Sequence, residues 1–321
     1  MSNLLSTEAL SGRLLFAIPK KGRLYEKCLE LLAGADVQFK RQHRLDVALV
    51  HNHNMALVFL PAADIPRFVG EGNVDLGITG QDMVQESGHD VASLITEELQ
   101  LGFGKCALQV QIPDPNSPFA KPDCLQSERD LVGKKVATSF DYLAAKYFDK
   151  LDAEVNAERR QHGLEELKTK IEYVGGSVEA ACALGVADGI VDLVESGETM
   201  RACGLTAIST LLTSQAVLIR PSKPHARSNT ALISLITSRI RGVIAASKYV
   251  LCQYNVQRSA LQQALEITPG RRAATVSPLE DREWNAVSSM VLKADTATIM
   301  DRLESIGASD ILILGINNCR V

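Results

Sequence analysis

The sequence predicts an α/β protein made of two successive α/β series and a compact C-terminal βαββαβ unit. Three observations carry this. Short apolar runs alternate with amphipathic stretches along most of the 321 residues. A loop rich in proline (Pro113, Pro115, Pro118, Pro122) divides the first series from the second, since proline cannot continue a strand ladder. The final ~70 residues alternate strand, helix, strand, strand, helix, strand, the ferredoxin-like order.

Leu14–Ile18 is an apolar run stopped by Pro19, the pattern of a buried strand. Leu24, Cys28, Leu31 and Leu32 then recur at helical spacing, with Gly34 as a stop. Met55–Leu60 is a second strand, Ile65–Val69 a short helix and Val74–Thr79 a third strand; Leu108–Ile112 follows. The second series runs strand Lys135–Ala137, helix Tyr142–Asp149, strand Ile171–Val174, helix Val178–Leu184 and strand Ile190–Val194. Within it, the densely charged Asp152–Lys170 is a solvated helix or loop. Ala216–Ile219 is one more strand, and Pro221 and Pro224 bracket a boundary.

Beyond that boundary, Leu232, Leu235, Ile236, Ile240, Val243, Ile244, Val250 and Leu251 mark the apolar face of a long helix. Strands at Tyr249–Asn255, Ala274–Ser277, Ala286–Leu292 and Ile311–Ile316, with helices at Ser259–Glu266 and Ala297–Ile306, complete the C-terminal unit. No fixed-period repeat is visible.

A net charge of −4 provides no basic field for nucleic acid, so contacts to anionic ligands must be local. Seven cysteines (Cys28, Cys106, Cys124, Cys182, Cys203, Cys252, Cys319) form no C-x-x-C pair and leave an odd count, which fits reduced thiols. The opening MSNLLSTEAL has no basic region of the kind that begins an export signal, and no run reaches ~18 apolar residues. A cytoplasmic protein without a membrane span is expected. His51-Asn52-His53 lacks a third ligand at useful spacing, so a polar hairpin is expected there and no side-chain metal site is assigned.

The most informative segment is Gly189–Leu205, GIVDLVESGETMRACGL. A strand delivers Asp192 and Glu195 near its C-terminal end, then turns through Ser196-Gly197-Glu198-Thr199 into a short helix. Ser196 suits the N-cap and Gly204 the stop. A phosphate there would meet helix-end amides, with the Ser196 and Thr199 hydroxyls as further donors. The two carboxylates suit ribose hydroxyls instead. The segment therefore reads as a ribose-5-phosphate cradle, or as a strand, turn and capped helix with no ligand.

Lys20, Lys21, Gly22 and Arg23 sit where a strand ends and a helix begins, the ligand-facing edge of α/β folds. Their charge suits pyrophosphate or triphosphate, or else forms a solvated basic turn. Thr79-Gly80-Gln81-Asp82 occupies a similar strand end, where Asp82 either accepts from a nucleotide or caps the following helix. In the second series Ser177 caps, and Glu179 faces the cleft or completes the turn. Lys105, at the junction of the two series, is a further phosphate candidate.

The segment around Asp192 is similar to the phosphoribosyl-pyrophosphate motif of the ATP phosphoribosyltransferases, acidic–Leu–Val–x–Ser–Gly–x–Thr–(Leu/Met). Other matches follow in family order. They are AIPKKGRL (Ala17–Leu24), Asp64-Ile65-Pro66 with VDLGITGQD (Val74–Asp82), LGFGKCAL (Leu101–Leu108), ATSF (Ala137–Phe140) and GSVEA (Gly176–Ala180). TPGRRAATVSPL (Thr268–Leu279), WNAV (Trp284–Val287) and GASD (Gly307–Asp310) resemble the regulatory domain of long forms. Two departures stand out. Leu60-Pro61-Ala62-Ala63 precedes Asp64 where many bacterial members carry a basic residue, although the fungal branch reads much as this chain does. Two lysines stand where many members have one, leaving open which of Lys20 and Lys21 meets phosphate.

The resemblance implies two lobes of type II periplasmic-binding-protein architecture facing each other across a cleft. Lobe I would be residues 1–105 with a return segment 205–224, lobe II residues 106–204, and a histidine-sensing ACT-like domain residues 225–321. The implied reaction, the first committed step of histidine biosynthesis, is displacement of pyrophosphate from phosphoribosyl pyrophosphate by N1 of ATP. Asp192, Glu195 and Arg23 would be catalytic, and Mg²⁺ would be held mainly by substrate oxygens. L-histidine would inhibit by binding near Gln253, Thr275, Ser277 and Ser288, in a homo-hexamer interconverting with a dimer. Gln253 replaces an acidic residue found in some members. A non-catalytic two-lobed anion-binding protein is the alternative, but it would lack the Asp192–Thr199 cradle and would usually carry an export signal.

Overall fold

The computed structural model describes residues 10–42, 45–116, 125–225 and 228–320. The N-terminal nonapeptide and Pro118, Pro122 and Cys124, named above, lie outside them. The chain forms two compact units, Met1–Cys28 with Phe39–Thr230, and Leu29–Gln38 with Ala231–Val321.

The first unit opens with β1 (Leu14–Pro19), α1 (Arg23–Gly34), β2 (Val47–Leu49), β3 (Met55–Leu60), α2 (Ile65–Gly70), β4 (Leu76–Gly80), α3 (Gln81–Glu86), α4 (Gly88–Ala92) and β5 (Ile95–Gln100). It continues through β6 (Cys106–Pro113), β7 (Lys135–Thr138), α5 (Asp141–Gln161), β8 (Lys170–Tyr173), α6 (Ala180–Ala183), β9 (Gly189–Val194), α7 (Glu198–Ala202), β10 (Leu205–Ser214) and β11 (Ala216–Pro221). Residues 29–34 of α1 are counted with the second unit.

Two sheets result, ordered β2-β3-β1-β4-β11-β5 and β10-β6-β9-β7-β8. Each contains three parallel strands in the order second, first, third, flanked by an antiparallel strand that follows or precedes a crossing between lobes. This double arrangement is the type II periplasmic-binding-protein-like fold. It is a structural repeat without a sequence repeat. Leu14, Phe16, Ala17 and Ile18 of β1 are essentially inaccessible, which explains an apolar run without alternation. The hairpin expected around His51–His53 is present, with β2 antiparallel to β3.

Four sequence expectations need correction. α5 runs for 21 residues, well past Asp149, through the segment read as charged and solvated. Its Asp152 and Asn156 are buried and bond the returning chain: Thr169 N–Asp152 Oδ2 2.8 Å, Leu167 N–Asn156 Oδ1 2.8 Å and Asn156 Nδ2–Leu167 O 2.7 Å. Inward polar residues thus masked the helical period. Second, the chain leaves lobe II at Gln215 rather than near residue 205, because Leu205–Ser214 is a strand paired with β6. Two register shifts disturb its alternation and hid it. Third, β5 was missed; its residues are half-exposed or exposed and its sequence, ITEELQ, is largely polar. Fourth, the long helix expected to reach Leu251 stops at Ser247, because Val250 turns into a sheet core.

The second unit contains α8 (Thr230–Ser247), β12 (Tyr249–Gln257), α9 (Leu261–Ile267), β13 (Thr275–Pro278), β14 (Trp284–Leu292), α10 (Thr296–Ser305) and β15 (Ser309–Gly315). By length and composition alone α8 could cross a membrane, but it carries Arg239 and Arg241. The sheet order β13-β14-β12-β15 is ferredoxin-like. Cys252, Tyr254, Val256, Val287 and Val291 form its buried face with Ala264 of α9 and Ile299 and Leu303 of α10. The Tyr254 hydroxyl is satisfied by Thr268 Oγ1 at 2.7 Å. Alternate residues, including Gln253 and Ser288, point to the opposite face.

Candidate active site

β9 ends at Val194, and the chain turns through residues 195–197 into α7. The cap of α7 is Gly197, not Ser196 as expected. Gly197 has φ 76°, a left-handed conformation that strains any side-chain-bearing residue, so glycine is favoured at this cap. Ser196 Oγ instead accepts from Glu198 N at 3.4 Å, while Arg201 Nη2 donates to Ser196 O at 3.1 Å and pins the turn. Gly204 follows the C-cap with φ 67°, the stop expected.

A cavity of about 270 Å³ lies over this turn. Asp192, Glu195, Ser196, Gly197, Glu198 and Thr199 line it, together with Arg23, Glu179 and Gln111. Arg23, at the start of α1, reaches it by an ion pair, Nη1–Glu195 Oε2 2.6 Å. Burial, with Glu179 as a smaller repulsive neighbour, pushes the Asp192 carboxyl up to about 6, against the hydrogen bond from Leu193 N. Gln111, almost fully buried, donates to Asp192 O at 3.3 Å.

A second, more apolar cavity of about 370 Å³ adjoins the first and shares Arg23, Leu193 and Glu195 with it. Leu24, Ala62, Met83, Phe103 and Ala216 supply apolar wall; Gly80, Asp82 and Cys106 complete one side. Asp82 is 4% exposed. Its amide donates to Ser214 Oγ at 3.0 Å and its carboxylate accepts from the same hydroxyl. Burial raises its proton affinity, and these bonds oppose the rise. Gly80 allows the approach, since a Cβ there would collide with Asp82 Oδ1. Burial, then Asp82, pushes the Cys106 thiol up to about 11, so it is not poised as a thiolate nucleophile.

The remaining expected residues are placed unevenly. Thr79 is fully buried and its hydroxyl bonds Ala62 O at 2.8 Å, so it braces the apolar cavity instead of lining it. Lys105 lines a third, more open cavity of about 400 Å³ with Gln81, Cys106, Glu195 and Ser214. Lys20, Lys21 and Gly22 border Arg23 in the β1–α1 loop without lining these three cavities, and Ser177 is exposed at φ 52°. Gln111, Met83, Phe103, Arg201 and Ser214 were not anticipated. In the second unit, Gln253 is in register with Ser288 and Ser288 with Thr275, so these three form one cross-strand row; Ser277 sits opposite Ala286. Among the described residues, no cluster of three His, Cys, Asp or Glu side chains has metal-binding geometry.

The family model described as ATP phosphoribosyltransferase matches residues 61–242, and that described as HisG, C-terminal domain, matches 246–318. An ATP phosphoribosyltransferase of Yarrowia lipolytica is 56% identical over 97% of this chain and 98% of its own. That of Saccharomyces cerevisiae is 51% identical, with the same coverage. A solved chain from the ATP phosphoribosyl transferase (HisG:HisZ) complex of Thermotoga maritima superposes with TM-score 0.55 at 20% identity, covering 73% of this chain and 98% of that one, a likeness of fold. By its family models and its near full-length relatives, this chain belongs to the ATP phosphoribosyltransferases, pentosyltransferases of histidine biosynthesis.

Proposed function

We propose that the polar cavity holds phosphoribosyl pyrophosphate, that the adjoining apolar cavity holds the adenine of ATP, and that N1 of adenine displaces pyrophosphate at C1. The observation that carries this reading is the junction of the two cavities at Arg23, Leu193 and Glu195. One cavity is lined by hydroxyls, carboxylates and a helix-start turn, the other mainly by aliphatic and aromatic side chains. A sugar phosphate and a purine need those two surfaces, with their reacting atoms at the shared wall.

Ser196 and Thr199 supply hydroxyls to the 5-phosphate, and the first-turn amides of α7 have no partner within the helix. Asp192 and Glu195 orient the ribose. As the bond at C1 breaks, positive charge grows there and both carboxylates oppose it, an interaction that strengthens in the transition state. Arg23 faces the departing pyrophosphate, with Lys20 and Lys21 in the same loop. Adenine N1 carries no proton, so the attack needs no general base. Positioning supplies much of the rate.

Mg²⁺ fits this site. Glu179, Asp192, Glu195 and Glu198 face one cavity with Arg23 as its cation, and Asp192 already resists ionising there. The ion would be held mainly by pyrophosphate and ribose oxygens, with Asp192 and Glu195 as the carboxylates of this chain available to it, and would supply charge to neutralise the leaving group. The C-terminal unit is read as the sensor for L-histidine, on the row Gln253, Ser288 and Thr275 with Ser277 beside it. Assembly as a homo-hexamer exchanging with a dimer, in the cytoplasm, completes the reading.

The test is pyrophosphate release from protein mixed with ATP, phosphoribosyl pyrophosphate and Mg²⁺. Release that requires both organic substrates is expected. Tight binding of the donor without any release would leave an anion-binding protein instead.

A further inference from the structure

Helix α1 starts at Arg23 in the donor cavity and ends at Gly34, where a different set of contacts begins. Asp36 N–Ala33 O, Ala35 N–Leu31 O and Val37 N–Leu32 O close its last turn, leaving the terminal carbonyls of Gly34, Ala35 and Asp36. Each is taken by a side chain from the C-terminal part of the chain. Asn318 Nδ2 donates to Gly34 O at 2.9 Å. Arg239 Nη1 of α8 lies 3.2 Å from Ala35 O, 3.3 Å from Asp36 O and 3.3 Å from Asp36 Oδ2.

The chemistry of this end is specific. α1 has no basic residue in its own last turn, so Arg239 provides the cation that a helix C-terminus favours. Asp36 adopts φ 54°, a left-handed conformation uncommon outside glycine, while engaged by that guanidinium. A Cβ at Gly34 would come within 3.0 Å of Val243, so α8 lies directly against the helix end. Cys319 N donates to Gly242 O at 3.3 Å, which seats the chain next to Asn318 on α8.

At the other end the helix body is packed, with Tyr25 edge-on to Phe59 and Cys28 buried, but the side chain of Arg23 is held loosely. The Arg23–Glu195 pair is solvent-exposed, with side chains 84% and 51% accessible. Exposed pairs contribute little and do not fix a long side chain. What fixes the start of Arg23 is therefore the helix that carries it, a rod of 12 residues spanning ~18 Å. We propose that Arg239 is a positioning residue for phosphoribosyl transfer: by gripping the C-terminal end of α1 it sets where Arg23 meets Glu195 and the donor. This rests on the reading that Arg23 and Glu195 line the donor site.

The experiment is a double-mutant cycle in the full-length protein with Arg239→Gln, Arg23→Ala and the double variant, following pyrophosphate release and unfolding midpoints. Arg239→Gln should lower kcat/KM for phosphoribosyl pyrophosphate about five-fold or more, and Arg239→Lys, which keeps the charge but not the fork, should recover part of that. In the Arg23→Ala background, Arg239→Gln should cost nothing further. Sites separated by a whole helix normally combine independently, so a merely destabilising substitution would multiply with Arg23→Ala. Independent effects, or unchanged kcat/KM in Arg239→Gln, overturn the proposal. If Arg23→Ala itself has no effect, the donor-site reading fails first. Should Arg239→Gln not fold, Asn318→Ala, which removes the bond to Gly34 O, takes its place in the same cycle.

Discussion

Arg23 and Glu195, 172 residues apart in sequence, meet at 2.6 Å on the wall common to the two cavities. One comes from the first turn of a helix in lobe I and the other from the strand end in lobe II. The pair therefore joins the two lobes at the wall shared by the two cavities. Because both side chains are exposed, replacing Arg23 by Ala should change stability by less than about 1 kcal/mol. A charge-assisted bond to a phosphate oxygen is worth about 1.5–3 kcal/mol, so kcat/KM for the donor should fall roughly ten- to a hundred-fold. Steady-state kinetics with a thermal melt checks both; a large drop in melting temperature with intact kcat/KM would make Arg23 structural.

Asp192 gives a pH prediction with a definite sign. Its folded proton affinity is raised, to about 6. Between the usual carboxylate range and that value the folded chain keeps a proton that the unfolded chain releases, so this group's contribution to stability falls as pH rises. Asp192→Asn should accordingly melt higher than the parent above pH 7, with the gain shrinking towards pH 4, while turnover drops. In the parent, kcat/KM for the donor should decline below about pH 6 as the carboxylate protonates. A variant that melts lower at pH 8 would assign Asp192 to folding.

Ser196→Ala and Thr199→Ala each remove a hydroxyl from the cradle. Donor KM should rise severalfold in either, with ATP KM less affected, since a hydrogen bond to a charged group is worth about 1.5–3 kcal/mol. Isothermal titration with phosphoribosyl pyrophosphate provides a second readout. Equal affinity in both variants would remove the phosphate from this turn.

The apolar cavity makes the complementary claim. Phe103→Ala strips aromatic wall from the slot, so ATP KM should rise about ten-fold or more while donor KM moves little, because buried aromatic contact contributes on the order of 1–3 kcal/mol. If donor KM moves instead, the purine lies elsewhere.

The strand, turn and short helix around Asp192 were legible in sequence because the three parts are contiguous, and the cavity lies over them. The apolar cavity was not. Leu24, Met83, Phe103 and Ala216 come from four separate segments, and each has an ordinary apolar side chain. Ser214 and Gln111 escaped notice for another reason. They are buried polar residues, Ser214 closing the bulged β10 and Gln111 lying within β6. The N-cap was misassigned because a serine offers the commoner capping group, whereas the backbone here requires the left-handed φ that Gly197 supplies. The βαββαβ unit was read almost element by element, since alternation along β12 and β14 exposes one face and buries the other.

The regulatory reading makes the final prediction. Gln253, Ser288 and Thr275 lie side by side on three neighbouring strands, a row of about 10 Å at normal strand spacing. Such a row offers amide and hydroxyl groups of the size an amino-acid zwitterion can span. Removing the C-terminal unit would be a poor test, since it would also strip Arg239 and Asn318 from the end of α1. Substitution within the row leaves those contacts in place. Ser288→Leu fills its centre with an apolar side chain and should raise the histidine concentration for half-inhibition at least ten-fold without lowering uninhibited kcat. Gln253→Ala and Thr275→Ala should have smaller effects, about two- to ten-fold. Inhibition needs histidine to favour one state of the enzyme over another, with a coupling typically of ~1–3 kcal/mol, so losing one good contact is enough to be measured. Full sensitivity in Ser288→Leu would move the histidine site off this sheet, and an intact enzyme indifferent to histidine would end the regulatory reading.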